Sequence, residues 1–266
     1  MLTGRMNVAE QSGPLAGKVA VVMGVANQWS IGYAIAEALA QAGAKLAITY
    51  RAERSLREAS KLVALVPGSK TFQCNVESDD DLDKLGEDLK TEYGAVDILV
   101  HSIAFAPPSE LRGRFIETSR EGFMTAHSVS VFSLIAATQR ISPLMTNGGS
   151  IMTLSYLGAD RVFPHYNVMG VAKAALEATV RYLAADLGNE RIRVNALSAG
   201  PIKSAAARGI PGFTDMKNAA AEKSPMKGEF TAKQVGDVAA FLASDAASGI
   251  TGETIFIDNG YHVLGA

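Results

Sequence analysis

Two side chains in the segment Ser155–Lys173 could do chemistry together. Tyr166 offers a neutral phenol O–H, and Lys173, seven residues later, offers an ammonium. At about 100° per residue, seven helical steps return a side chain to within roughly 20° of its starting direction. In a helix, both groups therefore lie on one face, two turns apart. A phenol can donate to an oxygen that gains negative charge. An ammonium can bind ribose hydroxyls and bias the phenol electrostatically. Hydride reduction needs both services when a carbonyl oxygen becomes enolate-like. Spacing alone leaves a plainer reading open: a Tyr and a Lys that merely share a helix face.

A second candidate is the turn Gly24-Val25-Ala26-Asn27-Gln28-Trp29-Ser30-Ile31-Gly32, which follows an apolar run. Backbone N–H groups at such a strand-to-helix turn can hold a pyrophosphate, and glycine lets the chain turn sharply. The spacing is not G-x-G-x-x-G, so an ordinary turn with Ser30 as helix cap stays open. The next apolar run ends in Thr49-Tyr50-Arg51 with no acid for an adenosine ribose. Arg51 permits a 2′-phosphate there, or is a surface charge. Later runs end in Cys74-Asn75-Val76 and His101-Ser102-Ile103-Ala104, with Cys74 read as a small buried residue. His101, His127, His165 and His262 show no paired spacing, so no metal site is expected. Hydrolytic G-x-S-x-G chemistry has no motif either.

These groups must be positioned by an alternation of short β-branched runs and longer amphipathic segments. Strands are predicted at Lys18–Met23, Lys45–Tyr50, Lys70–Asn75, Val96–His101, Gly149–Leu154, Arg193–Leu197 and Glu253–Ile257. Helices are predicted at Ile31–Gln41, Glu53–Leu65, from the cap Ser78 to Tyr93, Arg120–Ser142, Tyr166–Leu187, Thr214–Lys223 and Ala232–Leu242. Gly43 suits the end of the first helix, and the acids Asp79–Asp81 suit the positive start of the third. Strands of this kind between helices imply an α/β protein with a single Rossmann-type domain. Its sheet would be doubly wound, parallel and seven-stranded, with helices on both faces. Residues 1–16 read as an N-terminal arm before one domain at 17–266.

Hydrophobic residues at 48% and charged residues at 20% suit a soluble globular chain. A net charge of −2 gives no electrostatic reason to expect nucleic acid. The one cysteine cannot form an intramolecular disulfide, which fits a reducing compartment. The first residues lack the pattern of a secretory signal, and no apolar run reaches the roughly 18–20 residues of a membrane span. A cytoplasmic location is expected.

From Gly17 to Gly260 the chain resembles the short-chain dehydrogenase/reductase superfamily, including NALSAGP at 195–201. Tyr-x6-Lys in place of Tyr-x3-Lys is similar to the bacterial enoyl-acyl carrier protein reductase branch. So are HSIAFAP (101–107), TLSYLGA (153–159), YNVMGVAK (166–173) and LSAGPIKS (197–204). A Tyr-x3-Lys motif would need its tyrosine at Met169, which cannot donate a proton.

That resemblance implies reduction of the trans-2 double bond of an enoyl thioester on acyl carrier protein, in fatty acid synthesis. Hydride would pass from the nicotinamide to the β-carbon. Tyr166 would hydrogen-bond the thioester carbonyl, Lys173 would hold the nicotinamide ribose, and Tyr156 would be a second active-site tyrosine. By the same carry-over, the cofactor would meet Gly24, Ser30, Ile31, Arg51, Asn75, Val76, Ser102, Ile103, Ile202, Ser204 and Ala206. Substrate would meet Ala106, Tyr156, Tyr166, Met169, Ile210 and Phe213, the last two in a substrate-binding loop at 204–213. The family commonly has Asp where Asn75 stands, and Arg51 stands where many NADH-using members carry an uncharged polar residue. NADH is the expected cofactor, with NADPH the alternative, and a homotetramer the expected assembly. Two rival readings are a 3-oxoacyl or carbonyl reductase of the superfamily and a non-catalytic nicotinamide-binding sensor.

Overall fold

The computed structural model describes residues 12–203 and 212–265. Seven parallel strands form one sheet in the order β3-β2-β1-β4-β5-β6-β7. They are β1 (Val19–Met23), β2 (Lys45–Tyr50), β3 (Lys70–Gln73), β4 (Ile98–His101), β5 (Gly149–Ser155), β6 (Ile192–Ala199) and β7 (Thr254–Ile257). The connecting helices are α1 (Ile31–Gln41), α2 (Glu53–Val63), α3 (Asp79–Tyr93), α4 (Arg120–His127), α5 (Ser133–Ile141), α6 (Asn167–Leu187), α7 (Phe213–Lys223) and α8 (Ala232–Ala243). The doubly wound, seven-stranded parallel sheet is the expected one. The order reverses between β1 and β4, and in such a sheet the crevice beyond that reversal is where ligands bind.

Alternate residues of each strand feed two cores. Ala20, Val22, Leu46 and Ile48 pack with Ile35 and Leu39 of α1 and Val235 and Leu242 of α8. Val21, Met23 and Leu99 pack on the other face with Leu85 of α3, Leu134 of α5 and Leu176 of α6. Full burial of one such aliphatic side chain is worth about 1.5–3 kcal/mol, so the strand ends are held by the strongest part of the fold. Local chemistry agrees with the packing. Ser78 accepts the Asp81 N–H at the start of α3, and Gly43, just past α1, takes a φ of +103°. Of the expected arm, residues 12–16 are described, and Leu15 among them is fully buried, its N–H donating to Ala42 O.

Several expected elements differ. Strand β4 begins at Ile98 rather than Val96, and β6 runs on to Ala199 rather than stopping at Leu197. The third strand stops at Gln73 rather than Asn75, because Asn75 turns its N–H onto the Asp81 carboxylate. The second helix stops at Val63, short of Leu65. The expected uniform helix 120–142 is interrupted by a wider π turn at Ser128–Phe132 and tightens at Ser142–Leu144. Within that turn the Ser130 hydroxyl donates to Phe105 O at 3.1 Å and accepts the Phe105 N–H at 3.0 Å. Widened turns of this sort tend to serve sites, and this one anchors the chain that leaves β4.

Candidate active site

At one end of the crevice, the turn after β1 is built from backbone. Gly24 has a φ of +89°, and a Cβ there would fall 2.0 Å from Ser102 O, so no other residue fits. Ser30 caps α1, accepting the Tyr33 N–H at 3.3 Å while donating to Asn27 O at 2.7 Å. The N–H groups of Ile31 and Gly32 have no partner among the described residues. Arg51 follows β2 and donates to a Glu77 carboxylate oxygen at 3.2 Å. Asn75 and Val76 follow β3, and the Asn75 Oδ1 accepts the Glu77 N–H at 3.4 Å. Ser102 and Ile103 follow β4, beside Gly24.

At the other end, a cavity of about 340 Å³ is lined by Ile31, Ala106, Tyr156, Tyr166, Met169, Lys173, Ile202 and Phe213, all expected from the sequence. Ile31 thus belongs to both ends. The expected contacts Ser204, Ala206 and Ile210 lie outside the described residues. Phe105, Phe163 and Met216 also line the cavity and were not anticipated. Their signal was present only as apolar residues beside the motifs.

Tyr166 stands at the head of α6, between two residues of positive φ, His165 at 63° and Asn167 at 36°. Its ring meets the Tyr156 ring edge-on, with centroids 5.1 Å apart and planes at 72°. Gly158 makes room for it: a Cβ there would fall 2.4 Å from Tyr166 Cδ1. A Cβ on Gly170 would in turn fall 2.8 Å from Gly158 O, so these two glycines set how closely α6 lies on the chain after β5. Sequence reading gave neither glycine a role. The Tyr156 hydroxyl donates to Met216 Sδ at 3.7 Å, whereas the Tyr166 hydroxyl bonds to no group among the described residues.

Burial, with smaller contributions from Tyr156 and Glu177, raises the Tyr166 pKa well above that of a free phenol. Burial likewise raises that of Tyr156. Both are neutral donors at pH 7. Lys173 is buried and donates to Leu154 O at 2.6 Å. Burial lowers its pKa to about 8, against an opposing pull from Glu177. The Glu177 carboxylate accepts from Ser155 Oγ at 2.5 Å, joining α6 to the end of β5. His101 is buried between Ser133 Oγ at 2.7 Å and Thr153 Oγ1 at 3.1 Å. Burial and then Lys173 lower its pKa to about 3, so it is a neutral packing residue under the site. Cys74 is buried, with burial pushing its thiol to about 12, which makes it an unreactive core residue.

These donors fit a reduced dinucleotide. Lys173 spends one of its three N–H bonds on Leu154 O, leaving two for a vicinal diol. The free amides at the head of α1 suit a pyrophosphate. The apolar cavity beside Tyr166 suits a flat ring and an acyl chain.

Comparison with known proteins agrees. The family model described as "Enoyl-(Acyl carrier protein) reductase" matches residues 24–262. The chain is 48% identical over 253 residues to the enoyl-[acyl-carrier-protein] reductase [NADH] FabI of Bacillus cereus, covering 94% of this chain and 99% of that one. It is 46% identical over 252 residues to the enoyl-[acyl-carrier-protein] reductase [NADPH] FabI of Staphylococcus aureus, covering 94% and 98%. A crystal structure of the Bacillus cereus enoyl-acyl carrier protein reductase with NADP+ and indole naphthyridinone superposes with a TM-score of 0.93 at 48% identity, covering 96% of this chain and 100% of that one. With strand order, Tyr-x6-Lys geometry and nearly full-length similarity in agreement, the chain belongs to the enoyl-(acyl carrier protein) reductase family.

Proposed function

We propose that this chain reduces the trans-2 carbon–carbon double bond of enoyl thioesters carried on acyl carrier protein, a step of fatty acid synthesis, and that NADH is its preferred reductant. The bound cofactor supplies hydride from its nicotinamide to the β-carbon. One observation carries the reading. The Tyr166 phenol, neutral and without a hydrogen-bond partner among the described residues, faces an apolar cavity two helical turns from a buried Lys173.

The remaining work falls to side chains. Tyr166 donates to the thioester carbonyl oxygen and stabilises the negative charge that develops there as the β-carbon is reduced, and the enolate then takes a solvent-derived proton at its α-carbon. Lys173 holds the nicotinamide ribose through its two spare N–H bonds, and its charge favours the same oxyanion. Tyr156 packs against Tyr166, fixes its ring and walls the acyl seat. Ala106, Met169, Ile202 and Phe213 exclude water around the reacting atoms. At the other end Gly24, Ser30 and Ile31 meet the pyrophosphate, Arg51 the adenosine ribose, and Asn75 and Val76 the adenine. Ser102 and Ile103 support the turn and the nicotinamide side. Phe213 meets the acyl chain, and the family resemblance assigns Ile210 to the acyl chain as well and Ser204 and Ala206 to the cofactor.

The assembly we propose is a homotetramer, supported by apolar side chains left exposed on neighbouring helices, among them Phe123, Phe132 and Tyr182. Light scattering at micromolar concentration tests it, and a monomer overturns it. Among the described residues no helix is long and apolar enough to cross a membrane, and the proposed location is cytoplasmic.

The test follows oxidation of NADH, then of NADPH, with crotonyl thioester and separately with acetoacetyl thioester. Turnover of the enoyl substrate alone, lost in Tyr166→Phe, is expected. Turnover of the keto substrate alone would make the protein a carbonyl reductase, and turnover of neither, with cofactor bound, a sensor.

A further inference from the structure

We propose that Glu77 sets the choice between NADH and NADPH by occupying Arg51. The inference rests on the cofactor reading above. Arg51 directly follows β2, the position in a doubly wound sheet that faces the adenosine 2′-substituent. An arginine there should welcome a 2′-phosphate, yet its Nη1 donates to Glu77 Oε2 at 3.2 Å. Glu77 is 26 residues away, in the loop after β3, directly beside Val76 at the proposed adenine seat.

The loop is built so that this carboxylate reaches Arg51. The Asn75 N–H is tied to Asp81 and the Glu77 N–H to the Asn75 side chain, which folds the loop back. Neighbouring acids are engaged elsewhere, Asp79 with Arg140 and Asp81 with Ser78 and Asn75. Glu77 is the acid paired with Arg51 among the described residues. The pair is solvent-exposed, at 69% and 40% of the two side chains, so it is weak enough to be opened by a competing anion. A bound NADPH would have to displace Glu77 from Arg51 and then hold its phosphate beside the displaced carboxylate. The 2′-hydroxyl of NADH demands neither. Glu77 thus converts an arginine suited to phosphate into a neutral pair that favours the hydroxyl.

The test is equilibrium titration of the full chain by nicotinamide fluorescence, with NADH and NADPH separately at low ionic strength, so the readout is binding rather than turnover. Glu77→Gln keeps shape and removes charge. It is expected to shift the ratio of the two dissociation constants toward NADPH by about tenfold, the size of the freed Arg51 charge facing a phosphate at roughly 6 Å near water. In an Arg51→Gln background the same change should move the ratio by less than about threefold, because the arginine is what Glu77 competes for. A ratio within about twofold of wild type in Glu77→Gln, with both nucleotides still bound, overturns this inference and leaves the reductase reading intact. So does an equal shift with and without Arg51. Failure of the wild-type chain to bind either nucleotide overturns the cofactor reading itself, and the inference with it.

Discussion

The two ends of the crevice are built on opposite electrostatic plans. Around Gly24, Arg51 and Asn75 the working groups are backbone amides and an exposed ion pair, in contact with water and salt. Around Tyr166 and Lys173 they are few, wholly or partly buried, and surrounded by apolar side chains. Charge at the first end is screened and can be retuned by single surface substitutions. At the second end each donor acts in a medium where its effect is larger and any misplacement is costly. Affinity can therefore drift between cofactors while the reducing chemistry stays fixed.

Substitutions at the buried end should break this contrast most severely. Tyr166→Phe is expected to lower kcat about 10²–10³-fold while NADH still binds, as for loss of one oxyanion donor. Single-turnover kinetics beside a binding titration would separate the two. A comparable loss of NADH binding would show that the buried end does not act on the transition state alone.

Next in size is Gly158→Ala. The added methyl collides with the Tyr166 ring, so stability should fall by roughly 1–3 kcal/mol. Turnover should fall by about tenfold or more through misplacement of the phenol. Denaturant melts and steady-state kinetics check both. Unchanged turnover would mean that the ring has a second productive seat.

A third effect sets binding and stability against each other through one group. Lys173 loses its proton near pH 8 in the folded chain but near 10.5 when unfolded. Dinucleotide affinity should therefore weaken as pH climbs through about 8, by up to about tenfold per unit. Over the same range the unfolded chain holds more protons than the folded one, so this group's contribution to stability should improve. The clean window is about pH 8–9, below the point where Cys74, with an unfolded value of 9.0, adds the opposite slope. Wild type compared with Lys173→Met, by titration and by melting, isolates both trends. Parallel rather than opposed trends would contradict the assignment.

The smallest effect concerns salt. Raising ionic strength from about 0.05 to 0.5 M should change NADPH affinity severalfold while leaving the single-turnover rate of bound complex nearly constant. Equal sensitivity of both quantities would erase the contrast between the ends.

Local signals made much of this legible beforehand. Helix α1 and strand β2 begin and end at the expected residues because Ser30, Gly43 and an unbroken apolar run mark their ends. Tyr166 and Lys173 could be placed on one face because helical spacing is a property of the chain alone. What stayed hidden depends on contacts distant in sequence. The π turn at Ser128–Phe132 answers to Phe105, some 25 residues before Ser130. The close fit of Gly158 against Tyr166 requires knowing which loop α6 lies upon. Arg51 looked the same whether free or paired, since its partner stands on another strand end.

The positive φ angles on both sides of Tyr166 carry one more consequence. Neither His165 nor Asn167 is a glycine, and a β-carbon in that region of backbone space costs energy that the rest of the fold must supply. Glycine at 165 would relieve that cost, yet it would also release the segment that fixes the phenol at the head of α6. Selection for heat resistance and selection for turnover should thus pull this position in opposite directions, and a library screened for thermal survival alone should recover variants here that melt later and reduce more slowly.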